Sequence, residues 1–227
     1  MRNLKNVKSG FICRKNMELF LFAFASLFSI INPLGTVPVF VGLTSDESSI
    51  EKNNTSLLTA INVIIILVIS FFLGTYMLNF FGISLNALRI AGGLIIATSG
   101  FALLKGEFSK HKGMKNQKVK KDLKMRDKFS LTPLAIPMLA GPGSISLLIT
   151  FSQEYHTTQA VIIIISAILV VGITTYFILR SSFLITKFLG ASGINAISRI
   201  VGFIVIAIGV EYIIGDVGIN LGDSMYD

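Results

Sequence analysis

The chain has 227 residues, of which 52% are apolar and only 14% charged, with a mean hydropathy of +0.75 and a formal net charge of +8. A soluble domain carries about 25% charged residues, and a solvated coil holds far less Ile, Leu and Phe, so both classes are excluded. A single cysteine (Cys13) and two histidines in polar stretches (His111, His156) also exclude a disulfide scaffold and a multi-cysteine or all-histidine metal centre. An integral membrane protein remains.

Residues 1–16 carry Arg2, Lys5, Lys8, Arg14 and Lys15 and no acid. Charge-free runs of 27, 36, 25 and 25 residues then separate Glu18 from Asp46, Lys52 from Arg89, Lys128 from Glu154 and Glu154 from Arg180. A helix rising ~1.5 Å per residue needs ~20 apolar residues to cross ~30 Å of hydrocarbon. Four spans are therefore predicted near Leu19–Val41, Leu57–Leu78, Leu131–Phe151 and Ala160–Leu179. Two more, near Ile83–Leu104 and Ile194–Ile214, each carry an arginine close to the start. The short alternating segments of a transmembrane β-barrel do not occur. The expected fold class is an all-α membrane protein with six transmembrane helices.

Lys105 to Lys128 holds ten Lys/Arg and three acids, a local net of +7. Such a linker (residues 105–129) belongs on the cytosolic side, and an anionic-lipid-binding role is the sharper alternative. Three helices before it place the N-terminus outside, and six in all place the C-terminus, with its acidic tail 219–227, outside too. Basic residues 1–16 dissent from that orientation. Translation from Met17, which leads directly into the first span, is the expectation that removes the conflict. A cleaved signal peptide ending near Ala23-Phe24-Ala25 competes with it, but the apolar run continues through Ile31.

The two halves match one another. Pro33 recurs as Pro142, and Asn86-Ala87 as Asn195-Ala196, both 109 residues later. Arg89-Ile90-Ala91-Gly92 recurs as Arg199-Ile200-Val201-Gly202, offset by 110. Repeats of three helices, 17–104 and 130–218, must enter the membrane from opposite sides. Such an inverted repeat is the architecture of many secondary transporters.

Within the repeats, Asn32-Pro33-Leu34-Gly35-Thr36-Val37-Pro38 lies halfway along the first span. Pro133 and Pro137 precede Ala140-Gly141-Pro142-Gly143-Ser144 in the fourth. Proline removes a backbone donor and clashes with the preceding turn, so both spans are predicted to be broken helices. In lipid, backbone groups freed by a break must face protein or a watery cavity, and a half-helix N-terminus suits a carboxylate. Asn32, Pro33, Gly35, Thr36, Gly141, Pro142, Gly143 and Ser144 are accordingly the candidate substrate-binding residues. Ser26, Ser29, Asn32 and Thr36 share one helix face, which either lines a path or bonds neighbouring helices. Arg89 and Arg199, near span starts, either snorkel to the interface or act in coupling or gating. Glu211, near the end of the last span, is a candidate for the same role.

These motifs, with the Arg-Ile-x-Gly pattern and the basic middle loop, closely resemble the MarC family of bacterial and archaeal membrane proteins, from Met17 to about Gly218. The resemblance implies a transporter of small neutral amino acids, glycine and alanine foremost, in the cell membrane. Carried over, Asn32 to Thr36 would meet Gly141 to Ser144 near the midplane. Broken-helix amides would bind the substrate carboxylate, and freed carbonyls or the Asn32 or Thr36 oxygen its ammonium. The implied partners are that substrate, a coupling proton or sodium ion and the bilayer, with no cofactor, no nucleic acid and the oligomeric state left open. Other readings are an exporter of other small metabolites or drugs, a channel-like pore, and a structural protein working through its basic loop. An enzyme is disfavoured, because Ser144 has no histidine or lysine in any span to activate it.

Overall fold

The computed structural model describes residues 2–44, 47–105 and 139–223. Every regular element among them is a helix: α1 Arg2–Ile31, α2 Pro33–Leu43, α3 Ser49–Phe81, α4 Leu85–Leu104, α5 Pro142–Glu154, α6 Thr158–Arg180 and α7 Ser182–Asp223. Five stretches are long and apolar enough to cross a membrane: Arg14–Leu43, Ser49–Gly74, Leu85–Leu104, Thr158–Arg180 and Ser192–Ile214.

Six spans were expected from the charge map, and the difference lies in the fourth. Its first half, with Pro133 and Pro137, falls outside the described residues, as does nearly all of the basic linker. Its second half is α5, too short at 13 residues to span alone. The helix starts also differ from the hydropathy boundaries. α1 runs unbroken from Arg2, so the basic extension continues into the first span. α3 begins eight residues before Leu57, because Ser48 and Glu51 form a capping box that holds the polar first turns helical. In α7, Gly190 adopts φ 63° and ψ 177°, a conformation that separates a short first segment from the long membrane helix.

The bundle is apolar outside and mixed inside. Phe72, Phe80, Ile162, Phe177 and Phe203 are all more than half exposed, as suits side chains that face lipid. Inside, Leu27, Ile31, Phe40, Leu67, Leu147, Phe151, Ile164 and Ile168 form one core shared by α1, α2, α3, α5 and α6. Ile96, Leu103 and Val205 form a second between α4 and α7.

The α4–α7 contact is backbone against backbone. A Cβ added to Gly93 would lie 2.6 Å from the Gly209 carbonyl oxygen, and one on Gly100 2.7 Å from that of Gly202. The reverse distances are 2.7 Å from Gly209 to Gly93 and 2.9 Å from Gly202 to Gly100. The helices therefore run antiparallel with their glycines facing in reciprocal pairs, and nothing larger fits. Toward the other side of the bundle, the Tyr176 hydroxyl donates to Asn53 Oδ1 at 2.9 Å and ties α6 to α3.

Candidate functional site: two broken helices

The first break is a single residue, Asn32, between α1 and α2. Pro33 occupies the first position of α2, where its missing N–H costs no intrahelical bond within α2. That same absence deprives the Ser29 carbonyl of its helical donor, and Pro38 does the same to the Leu34 carbonyl. Asn32 takes φ 44° and ψ 64°, and it is the sole non-glycine residue with positive φ among those described. Asparagine tolerates this region because its short amide can bond locally. Here Oδ1 accepts from the Gly35 N–H at 3.1 Å and caps α2. Thr36 Oγ1 turns back to donate to the Pro33 carbonyl at 2.7 Å.

The capping bond settles which end of the Asn32 amide is oxygen, since an N–H donor requires an acceptor. Nδ2 then points elsewhere, and at 2% exposure it finds no acceptor among the described residues. A buried donor left unpaired costs about 1–3 kcal/mol. The sequence reading had the Asn32 oxygen accept from a ligand ammonium. In the structure that oxygen also serves as the cap, and Nδ2 is the atom without a partner among the described residues.

The second break lies at the start of α5. Gly141 is the N-cap in an extended conformation (φ −77°, ψ 174°), with no side chain to cap the helix, and Pro142 follows at the first position. Ser144 Oγ donates to the Gly141 carbonyl at 2.9 Å, matching Thr36 at the first break. Gly143 and Ser144 are buried, whereas Pro142 is exposed. A Cβ on Gly143 would come within 3.1 Å of Ile96 and 3.3 Å of Ile30, one turn before the first break. The α5 N-terminus thus abuts the end of α1. The second cluster named from sequence therefore packs against the helix that leads into the first, and each cluster keeps its hydrogen bonds to itself. Of the polar stripe on α1 and α2, Ser26, Asn32 and Thr36 are buried and Ser29 is half-buried.

The charged candidates separate. Arg89, in the first turns of α4, bonds Glu154 at the last residue of α5, with the side chains 20% and 29% exposed. Glu211 and Arg199, the other candidates for coupling or gating, both lie exposed on α7. Sequence reasoning missed Glu154 as a site residue. Its one signal was a lone acid dividing two charge-free runs. It also missed Tyr212, whose hydroxyl donates to the Leu147 carbonyl at 3.3 Å and fixes α7 against α5. Next to Glu154, burial first and the neighbouring carboxylate second raise the Tyr155 phenol above its usual range, so it stays protonated and neutral at physiological pH.

Comparison with known proteins supports the membrane reading. The chain is 35% identical over 217 residues to a UPF0056 membrane protein of Buchnera aphidicola (subspecies Baizongia pistaciae), covering 93% of this chain and 99% of that one. It is 35% identical over 191 residues to the UPF0056 membrane protein YhcE of Escherichia coli K12, covering 84% and 88%. Identity is again 35% over 202 residues to the UPF0056 inner membrane protein MarC of Escherichia coli UTI89, covering 84% and 90%. No solved structure matches the chain. The model of the MarC family of integral membrane proteins matches residues 17–219, and with relatives this similar over most of their length, the chain belongs to that family.

Proposed function

We propose that this protein is a secondary transporter that moves small neutral amino acids, glycine and alanine foremost, across the cell membrane by alternating access. The observation that carries the reading is Asn32 Nδ2, a buried donor without an acceptor among the described residues, at the end of the helix against which the α5 N-terminus packs. A substrate carboxylate would satisfy both that donor and the first-turn N–H groups of α5, whose positive dipole end favours an anion. The ammonium would sit toward the Ser29 and Leu34 carbonyls, which proline leaves without helical donors. Ile30 and Ile96 crowd Gly143, so a side chain added at that position would intrude on the α5 N-terminus.

The packing also supports two inverted halves. α5 lies against α3 and α4, and α2 lies correspondingly against α6 and α7. α4 meets α7 antiparallel through reciprocal glycines, as a two-fold axis in the membrane plane would require. With the basic linker cytosolic, Arg89 and Glu154 stand at the outer face, and both termini lie outside. The inner membrane is the expected location, in keeping with the name of the Escherichia coli relative.

Flux of labelled alanine and glycine into proteoliposomes, under imposed proton and sodium gradients, tests the reading. Saturable flux that is lost in Gly143→Leu is expected, and the effective gradient names the coupling ion. Flux that rises without saturation would replace the carrier with a pore. Silence for every small amino acid in a folded preparation would remove the substrate assignment.

A further inference from the structure

α5 is held to its neighbour α4 differently from the way α7 is held to α4. The α4–α7 contact is glycine backbone against glycine backbone and cannot shear without collision. Between α4 and α5 the contacts are side chains. Gly143 lies beside Ile96, and Ser146 Oγ sits only 2.0 Å from where a Gly92 Cβ would stand. At the far end, Arg89 bonds Glu154 across 65 residues of sequence.

Ser146, Thr150 and Glu154 are spaced four apart and so share one face of α5. Ser146 and Thr150 are buried, and Ser146 Oγ has no partner among the described residues. This polar lane starts one turn beyond the break at Gly141-Pro142 and ends at the ion pair. The break supplies a pivot at one end of α5, and the ion pair is the charged fastening at the other. With both side chains less than a third exposed, the pair is held partly away from water, and an advancing column of water would weaken it.

Building on the transport reading above, we propose that Arg89 and Glu154 form a gate. Closed, the pair seals the lane between α4 and α5. Open, it lets α5 swing about Gly141-Pro142 and exposes the α5 N-terminus to the membrane face at which α5 ends. Both are positioning residues, acting through α5 rather than on the solute.

Accessibility tests this without reference to any substrate. In full-length protein carrying Cys13→Ala and Ser144→Cys, a membrane-impermeant maleimide is applied to right-side-out and to inverted vesicles. Glu154→Gln or Arg89→Gln should raise the labelling rate from the outer face about tenfold, as expected when a state populated at ~10% or less becomes dominant. The double exchange Arg89→Glu/Glu154→Arg should restore the slow rate, which also shows that the single variants had not merely misfolded. A gain from the cytoplasmic face alone would support the gate and reverse the orientation. Unchanged labelling, an equal gain from both faces, or no rescue by the exchange would overturn it. Absent amino-acid flux with labelling that responds as expected would leave the gate standing and remove only the substrate. Normal flux with unresponsive labelling would remove the gate alone.

Discussion

The two helix breaks share a proline at the first helical position and a hydroxyl that bonds back into its own turn, yet they differ in what caps them. At Asn32 a side chain supplies the cap, bends the backbone into the left-handed region and leaves its amide donor aimed away. At Gly141 there is no side-chain cap and no left-handed residue, and among the described residues nothing lies within 4 Å of where a Cβ would stand. The first break presents a fixed donor, and the second presents bare backbone N–H groups. A site built from one side-chain donor and one helix start without a side-chain cap would orient a carboxylate without two competing side chains.

The comparison can be broken at either end. Asn32→Asp keeps the acceptor that caps α2 but removes the donor and adds a buried negative charge. Flux should fall about 100-fold, on the scale of a lost charge-assisted hydrogen bond, while purified protein still unfolds cooperatively on heating. Gly35→Ala should act mainly on stability, because its methyl would lie 2.4 Å from Asn32 Nδ2 and push the cap aside. A loss of about 1–3 kcal/mol, read as a lower unfolding midpoint in detergent, is expected. Gly141→Ala, with nothing within 4 Å, should leave that midpoint unchanged.

Gly141→Asn makes the second break resemble the first. The new side chain should cap α5 and add about 0.2–0.5 kcal/mol of stability, while competing with the solute for the same N–H groups and weakening its apparent affinity about tenfold. Greater stability with unchanged affinity would show that the α5 N-terminus does not hold the solute. The paired hydroxyls should affect stability alone. Ser144→Ala and Thr36→Ala should each cost about 0.5–1 kcal/mol in the same melts, since each loses one internal hydrogen bond.

Much of this was legible in the sequence because proline and charge are local signals. Pro33 and Pro142 announce both breaks, and three of the five membrane-length helices follow directly from runs without charge. Gly93 and Gly202 could be read as sites of close helix approach, and the fold uses both in its interior. What escaped was long-range or conformational. Nothing in the neighbourhood of Glu154 names Arg89, which lies 65 residues earlier and reaches it only because α5 folds back along α4. Likewise, Asn32 is plainly polar, but which amide atom it spends on its own helix depends on a backbone angle that composition does not encode. Hydropathy also misjudged the start of α3, since the capping box holds polar residues helical where a window average reads loop.

The reciprocal glycines of α4 and α7 bear on how the protein is made. α4 ends at Leu104 and the membrane part of α7 begins at Ser192, so translation at about 5–20 residues per second separates them by about 4–18 s. During that interval the groove on α4 can be filled only by lipid or by another protein, since the backbone that fits it has not yet left the ribosome. Among the described helices, the one made last is therefore the one that closes this contact. A nascent chain released before it emerges carries an open groove of bare backbone that membrane quality control can recognise.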